Sequence, residues 1–105
     1  MEKSFNNWRH NAIHLTFANG NSISTTWAKY SYADNRDYEG DFEDFLQSNN
    51  CEVMVLKCSD KLSKKIYKKF DGDGVIGYLT IDKWLEILNM LAKEKTNLST
   101  QPSQE

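Results

Sequence analysis

The sequence predicts an α+β domain: a three- to four-stranded antiparallel sheet with two helices packed on it. Three observations point there. Two alternating segments, 11–18 and 22–29, flank an Asn-Gly pair. A third segment, 51–57 "CEVMVLK", is an apolar strand. Two later segments, 59–70 and 81–95, change to a helical period of apolar residues. The chain has 105 residues, enough for one domain, here placed at 1–95. Residues 96–105, "TNLSTQPSQE", have the composition of a disordered tail.

Residues 1–10 are polar apart from Phe5 and Trp8 and read as a lead-in strand or ordered arm. In "NAIHLTFA", Ile13, Leu15 and Phe17 share one face and His14 and Thr16 the other. A two-residue Asn19-Gly20 loop would set Ile23 beside Thr16 and His14. A three-residue loop, Ala18-Asn19-Gly20, instead pairs Leu15 with Ile23 and Ile13 with Thr25. It also puts Trp27 on the apolar face and requires a left-handed Gly20. Residues 30–50 form a long polar connection, with a short helix near 41–48 suggested by Phe42, Phe45 and Leu46. Cys51, Val53 and Val55 line one face of the next strand and Met54 and Leu56 the other, so it reads as central and covered on both sides.

Leu62, Ile66 and Phe70 mark the first helix, with Ser59 as its N-cap. Val75–Leu79 is a short strand or extended segment, and Thr80 caps the second helix. Ile81, Trp84, Leu85, Leu88, Leu91 and Ala92 are its expected core stripe. Ile87 and Met90 widen that stripe. Met90 reads as a lone exposed apolar residue or the edge of a dimer or partner surface.

Composition excludes several function classes. Hydrophobic residues are 39% of the chain, enough for one modest core and little enclosed space. The net charge of −2 gives no global pull toward nucleic acid or anionic membrane. No apolar run approaches ~18 residues, and the start has no signal-peptide core, so a cytoplasm is expected. Cys51 and Cys58 fit neither a redox pair nor a zinc knuckle and read as reduced thiols. On a continuous strand they would point to opposite faces.

The stretch "KKFDGDGVIGYLTIDKW", 68–84, resembles a calcium loop at first sight. Such a loop needs oxygen ligands at positions 1, 3, 5 and 12 and Gly at 6. With Gly74 at position 6, positions 1 and 12 become Lys69 and Thr80. With Asp71 at position 1, the glycine comes two residues early. Neither register supplies enough carboxylate, and a glycine-rich reversal through Gly72 and Gly74 is expected instead. His10 and His14 have a helical ligand spacing, but on a strand they lie ~13 Å apart, too far for one metal. No metal or other cofactor is expected.

The run "DNRDYEGDFED", 34–44, sets six carboxylates and two aromatics against one arginine. Asp37, Tyr38, Glu39, Asp41, Phe42, Glu43 and Asp44 are its candidate partner-binding residues. Its alternative is a solvated loop. Lys57, Lys61, Lys64, Lys65, Lys68 and Lys69 cover the first helix, and Lys64, Lys65 and Lys68 could hold phosphate by charge. A solvated helix face is the plainer alternative. No nucleophile elbow, Walker loop, zinc-protease motif or clear nucleophile–base set is present, so no enzyme is expected.

The order "FANGNSIS", "YSY", "CEVMVL" and "DGVIGYLT" followed by a helix resembles small uncharacterised bacteriophage proteins. The likeness spans roughly residues 13–92, and the I-G-Y-L-T box is its most specific part. The long acidic insertion 34–48 and the lysine-rich helix depart from the commoner form. No activity or site residue carries over. What the resemblance implies is context: a phage accessory protein, in the host cytoplasm, that binds and inhibits a bacterial defence protein, as CRISPR inhibitors do. Alternatives are an oligomer sequestering a signalling nucleotide through Lys64, Lys65, Lys68 or His14, and a virion accessory protein. A host protein is the expected partner, with no direct nucleic acid and no membrane, and a homodimer remains open.

Overall fold

A computed structural model describes residues 4–6 and 11–95. The order of elements is β1 (Ser4–Asn6), β2 (Ala12–Thr16), β3 (Ser22–Thr26), β4 (Asn50–Lys57), α1 (Asp60–Lys69), β5 (Ile76–Thr80) and α2 (Ile81–Lys93). The strands form one antiparallel sheet in the order β1-β2-β3-β4-β5. The α+β architecture is the expected one. Strands β2 to β5 are the four read from residues 11–80, and the three-residue β1 adds an edge. The expected tail, 96–105, lies outside the described residues, as do Trp8 and His10.

The β2–β3 hairpin has the register that apolar matching demands. Leu15 stands opposite Ile23 and Ile13 opposite Thr25. The three-residue loop is closed by Gly20 N–H donating to Phe17 O and Phe17 N–H donating to Asn21 O, both at 2.8 Å. Gly20 is left-handed, at φ +92°. The apolar rows continue across the sheet: Ile23 faces Val55, Thr25 faces Val53, and Val53 faces Ile76.

Both helices pack on this one face. Ile66 of α1 and Ile87 and Leu91 of α2 are fully buried with Ile23, Val53 and Ile76. Each such side chain contributes about 1.5–3 kcal/mol by leaving water. Ser59 caps α1, its Oγ accepting from Leu62 N–H at 3.1 Å. Thr80 caps α2 through Lys83 N–H at 3.4 Å. No helix among the described residues is long and apolar enough to cross a membrane.

Four sequence expectations change. Strand β4 is central but covered on one side only, since Met54 and Leu56 are 41% and 45% exposed. The stripe of α2 is rotated: Ile87 is its buried centre, Met90 packs on the core, and Ile81, Leu85 and Ala92 are exposed. The docking direction of the helix decides this, and a stripe too wide to be buried whole leaves the choice open. The helix near 41–48 is absent. Leu46 N–H and C=O are taken by side chains of Asn11 and Trp27, leaving only a turn from Asp44 N–H to Asp41 O. Finally, Leu56 is an extra residue between the pairs Ile23–Val55 and Ser22–Lys57. This bulge turns Cys58 back toward the core that Cys51 also lines.

The 68–84 stretch is a helix stop. Phe70 ends α1, and Gly72 N–H reaches back to Tyr67 O at 2.9 Å. Asp71, not a glycine, takes the left-handed position, at φ 57°. Gly72 serves a steric need instead: a Cβ there would lie 2.5 Å from Val75 O. Gly74 is left-handed at φ +80° in open space.

Candidate functional site

The connection between β3 and β4 has no regular structure of its own, yet its backbone is tied at many points. Asn11, buried just before β2 at φ 61°, holds it from below. Its Nδ2 donates to Asp44 O at 2.6 Å and its Oδ1 accepts from Leu46 N–H at 2.7 Å. Trp27 Nε1 donates to Leu46 O at 3.0 Å. Asn35 Nδ2 bridges Trp27 O and Gln47 O at 2.8 and 3.0 Å. Asp34 and Asn50 close the base, Asn50 Nδ2 donating to Asp34 Oδ1 at 3.0 Å.

Inside the loop the candidate residues divide by role. Asp37, Glu39, Asp41 and Glu43 are exposed; Tyr38, Phe42 and Asp44 are half-buried. The Asp44 carboxylate accepts from Tyr38 Oη at 2.5 Å and from Asp41 N–H at 3.2 Å. That hydrogen bond, then desolvation and the charges of Asp44 and Asp41, push the Tyr38 phenol above its ordinary range. Phe42 stacks on Tyr30 with centroids 6.3 Å apart. Lys29 Nζ donates to Gly40 O at 3.0 Å. The acidic set is therefore four outward carboxylates on a frame built by Tyr38, Phe42 and Asp44.

The lysines stand elsewhere. Lys64, Lys65 and Lys68 lie exposed on the solvent face of α1, and Lys69 pairs with Glu86. His14 is half-buried on β2, opposite Ser24. Among the described residues no three His, Cys, Asp or Glu side chains are grouped to hold a metal ion.

The sequence assigned no role to three tyrosines: Tyr30 and Tyr32, which lie in this connection, and Tyr78, which the fold brings to it. Tyr78 N–H donates to Tyr32 O at 2.8 Å, joining β5 to the loop. Tyr32 N–H donates to Glu52 Oε1 at 2.7 Å. A Cβ on Gly77 would lie 2.7 Å from Tyr32 Cβ, so only glycine permits this approach. Tyr30 and Tyr78 both have left-handed backbones, at φ 76° and 52°. For bulky residues that costs about 1–3 kcal/mol each. The signal available was indirect: Y-S-Y and I-G-Y-L-T are two of the boxes that carry the phage resemblance.

Two clefts flank this cluster. One of about 260 Å³ is lined by Thr26, Lys29, Tyr30, Ser31, Phe42 and Glu52. A shallower one of about 430 Å³ runs past Tyr30, Arg36, Asp37, Tyr38 and Glu39. A third, of about 210 Å³, opens on the helix side between Ile13, Thr25, Trp27, Cys51, Ile81 and Trp84. Both indole N–H groups there are satisfied, by Leu46 O and by Thr25 Oγ1, so the polar lining that is left comes from Ser48, Asn50 and Thr25.

No protein-family model matches this chain, and the searches of curated proteins and of solved structures found no match to it.

Proposed function

We propose that this chain is a non-enzymatic phage accessory protein. It binds and inhibits a bacterial defence protein in the host cytoplasm, using the 34–44 loop as its contact element. The observation that carries the reading is the pre-ordered loop. Four carboxylates, of Asp37, Glu39, Asp41 and Glu43, project from a frame that Asn11, Tyr38 and Asp44 hold by hydrogen bonds. A surface already ordered in the free protein loses little conformational entropy on docking. Its charge suits a basic groove. The phage origin and the defence target rest on the sequence resemblance alone. The lysines of α1 are exposed on a convex helix face, and the three clefts are lined by other residues. Nucleotide sequestration is accordingly the weaker reading.

The test is affinity capture from infected cells with the full chain and with a variant carrying Asp37→Ser, Glu39→Ser, Asp41→Ser and Glu43→Ser. Asp44 is left in place because it supports the frame. A host defence protein captured by the first and lost by the second is expected. Equal capture by both removes the loop from the function.

A further inference from the structure

We infer that Tyr30, Tyr32 and Tyr78 are the anchor of an interaction surface whose partner is a protein segment rich in arginine or lysine. The loop carboxylates are its rim. This rests on the loop as the working surface, and adds the side chains that grip and the chemistry they select.

The three tyrosines are exposed, by 68%, 44% and 53%. Their backbones are nonetheless fixed, that of Tyr30 within its own loop and that of Tyr32 from β4 and β5. Tyr30 N–H donates to Arg36 O, and Arg36 Nη1 donates to Tyr30 O, both at 3.1 Å. Tyr32 is held by Glu52 and by Tyr78, as described above. Tyr30 and Tyr78 adopt left-handed backbones with side chains that stay outside the core, and what Tyr30 gains is the stack on Phe42. Strain of this kind persists where surroundings over-determine it, and it concentrates at ligand clamps. A tyrosine with a fixed backbone has only two side-chain torsions to order, which makes it an efficient anchor.

The cluster also shows which chemistry it accepts. The Arg36 guanidinium sits 4.3 Å from the Tyr32 ring centroid, and Lys29 Nζ 5.4 Å from that of Tyr30. Both cations also donate to carbonyls of the chain, those of Tyr30 and Gly40, and keep their charges. The same loop exposes five carboxylates, of Asp34, Asp37, Glu39, Asp41 and Glu43, which outnumber the two cations, and Asp37 and Glu39 line one cleft with Tyr30, Lys29 and Arg36. The outward field is therefore negative beside Tyr78 and the exposed parts of Tyr30 and Tyr32, whose ring faces already carry Phe42, Lys29 and Arg36. It complements a basic protein segment and repels a phosphate backbone.

The experiment is an amide NMR titration of the full chain at low salt, with octa-arginine and with an oligothymidylate as probes. Tyr30→Asn with Tyr78→Asn removes both rings while keeping a residue that tolerates the left-handed backbone. Octa-arginine is expected to shift the amides of Tyr30, Tyr32 and Tyr78, and the double variant to bind about tenfold more weakly. Its melting temperature should stay within about 3 °C of the parent or rise. Undiminished binding by the double variant overturns the anchor and leaves the loop reading standing. Undiminished binding by the four-serine variant overturns the loop reading on which the anchor rests. A melting temperature lowered by more than about 5 °C makes the tyrosines structural and overturns the inference. Binding of oligothymidylate with octa-arginine inert overturns it in favour of nucleic acid.

Discussion

The buried side chain of Asn21 donates from Nδ2 to the main-chain oxygen of Leu91 at 2.9 Å, so the β2–β3 hairpin closes the C-terminal end of α2. Asn19 Nδ2 adds bonds to Leu91 O and Glu94 O at 2.8 and 2.7 Å. The last carbonyls of a helix have no partner within it, and here a distant turn supplies one. Asn21→Ala is expected to destabilise the fold by about 1–3 kcal/mol, because α2 loses a buried donor. Urea unfolding measures it; an unchanged midpoint would show that the amide contributes nothing.

Glu94 extends this junction to α1. Its carboxylate accepts from Asn21 Nδ2 at 3.1 Å, from Ser59 N–H at 3.3 Å and from the Ser59 hydroxyl. Desolvation alone would raise its pKa; the bonds from Ser59 and Asn21 outweigh that and hold it below the ordinary 4.5. A depressed carboxylate pKa gives stability that is present above 4.5 and lost as pH falls through the folded-state value. The unfolding midpoint of the parent should therefore fall more steeply than that of Glu94→Gln as pH drops from about 6 to about 3. Parallel curves would refute the junction's role.

Burial pushes both thiols up to about 11, with Glu52 adding to the effect at Cys51 and Glu94 and Asp60 at Cys58. At about pH 8 their thiolate fraction is on the order of a hundredth of that of a free cysteine. Alkylation of the native protein should be slower by about that factor, with the half-buried Cys58 reacting before Cys51. Full reactivity should return in urea. Rapid native labelling would contradict the packing.

The two glycines after α1 should respond differently. Gly72→Ala drives a Cβ to 2.5 Å from Val75 O and 2.6 Å from Ile76 Cγ1, and is expected to cost about 2–3 kcal/mol. Gly74→Asn has open space and a backbone that asparagine tolerates, so its cost should stay below about 1 kcal/mol. Equal losses in thermal unfolding would mean that conformation, not space, governs both.

Periodicity alone determined much of this protein. The alternation of Ile13, Leu15 and Ile23 set the hairpin register, because a slip of one residue would have turned an apolar face to water. Ser59 and Thr80 marked both helix starts, since capping is local chemistry. The outward carboxylates Asp37, Glu39, Asp41 and Glu43 were legible as a charge run, although nothing local told them from the framework residue Asp44. Tertiary structure decided the rest. Phe42, Phe45 and Leu46 kept helical spacing, but Asn11 and Trp27 took the backbone groups a helix needed. Only docking chose Ile87 over Ile81 as the centre of the α2 stripe. Tyr32 and Tyr78 met because Gly77 let two backbones approach, a contact between residues 46 apart that no local window contains.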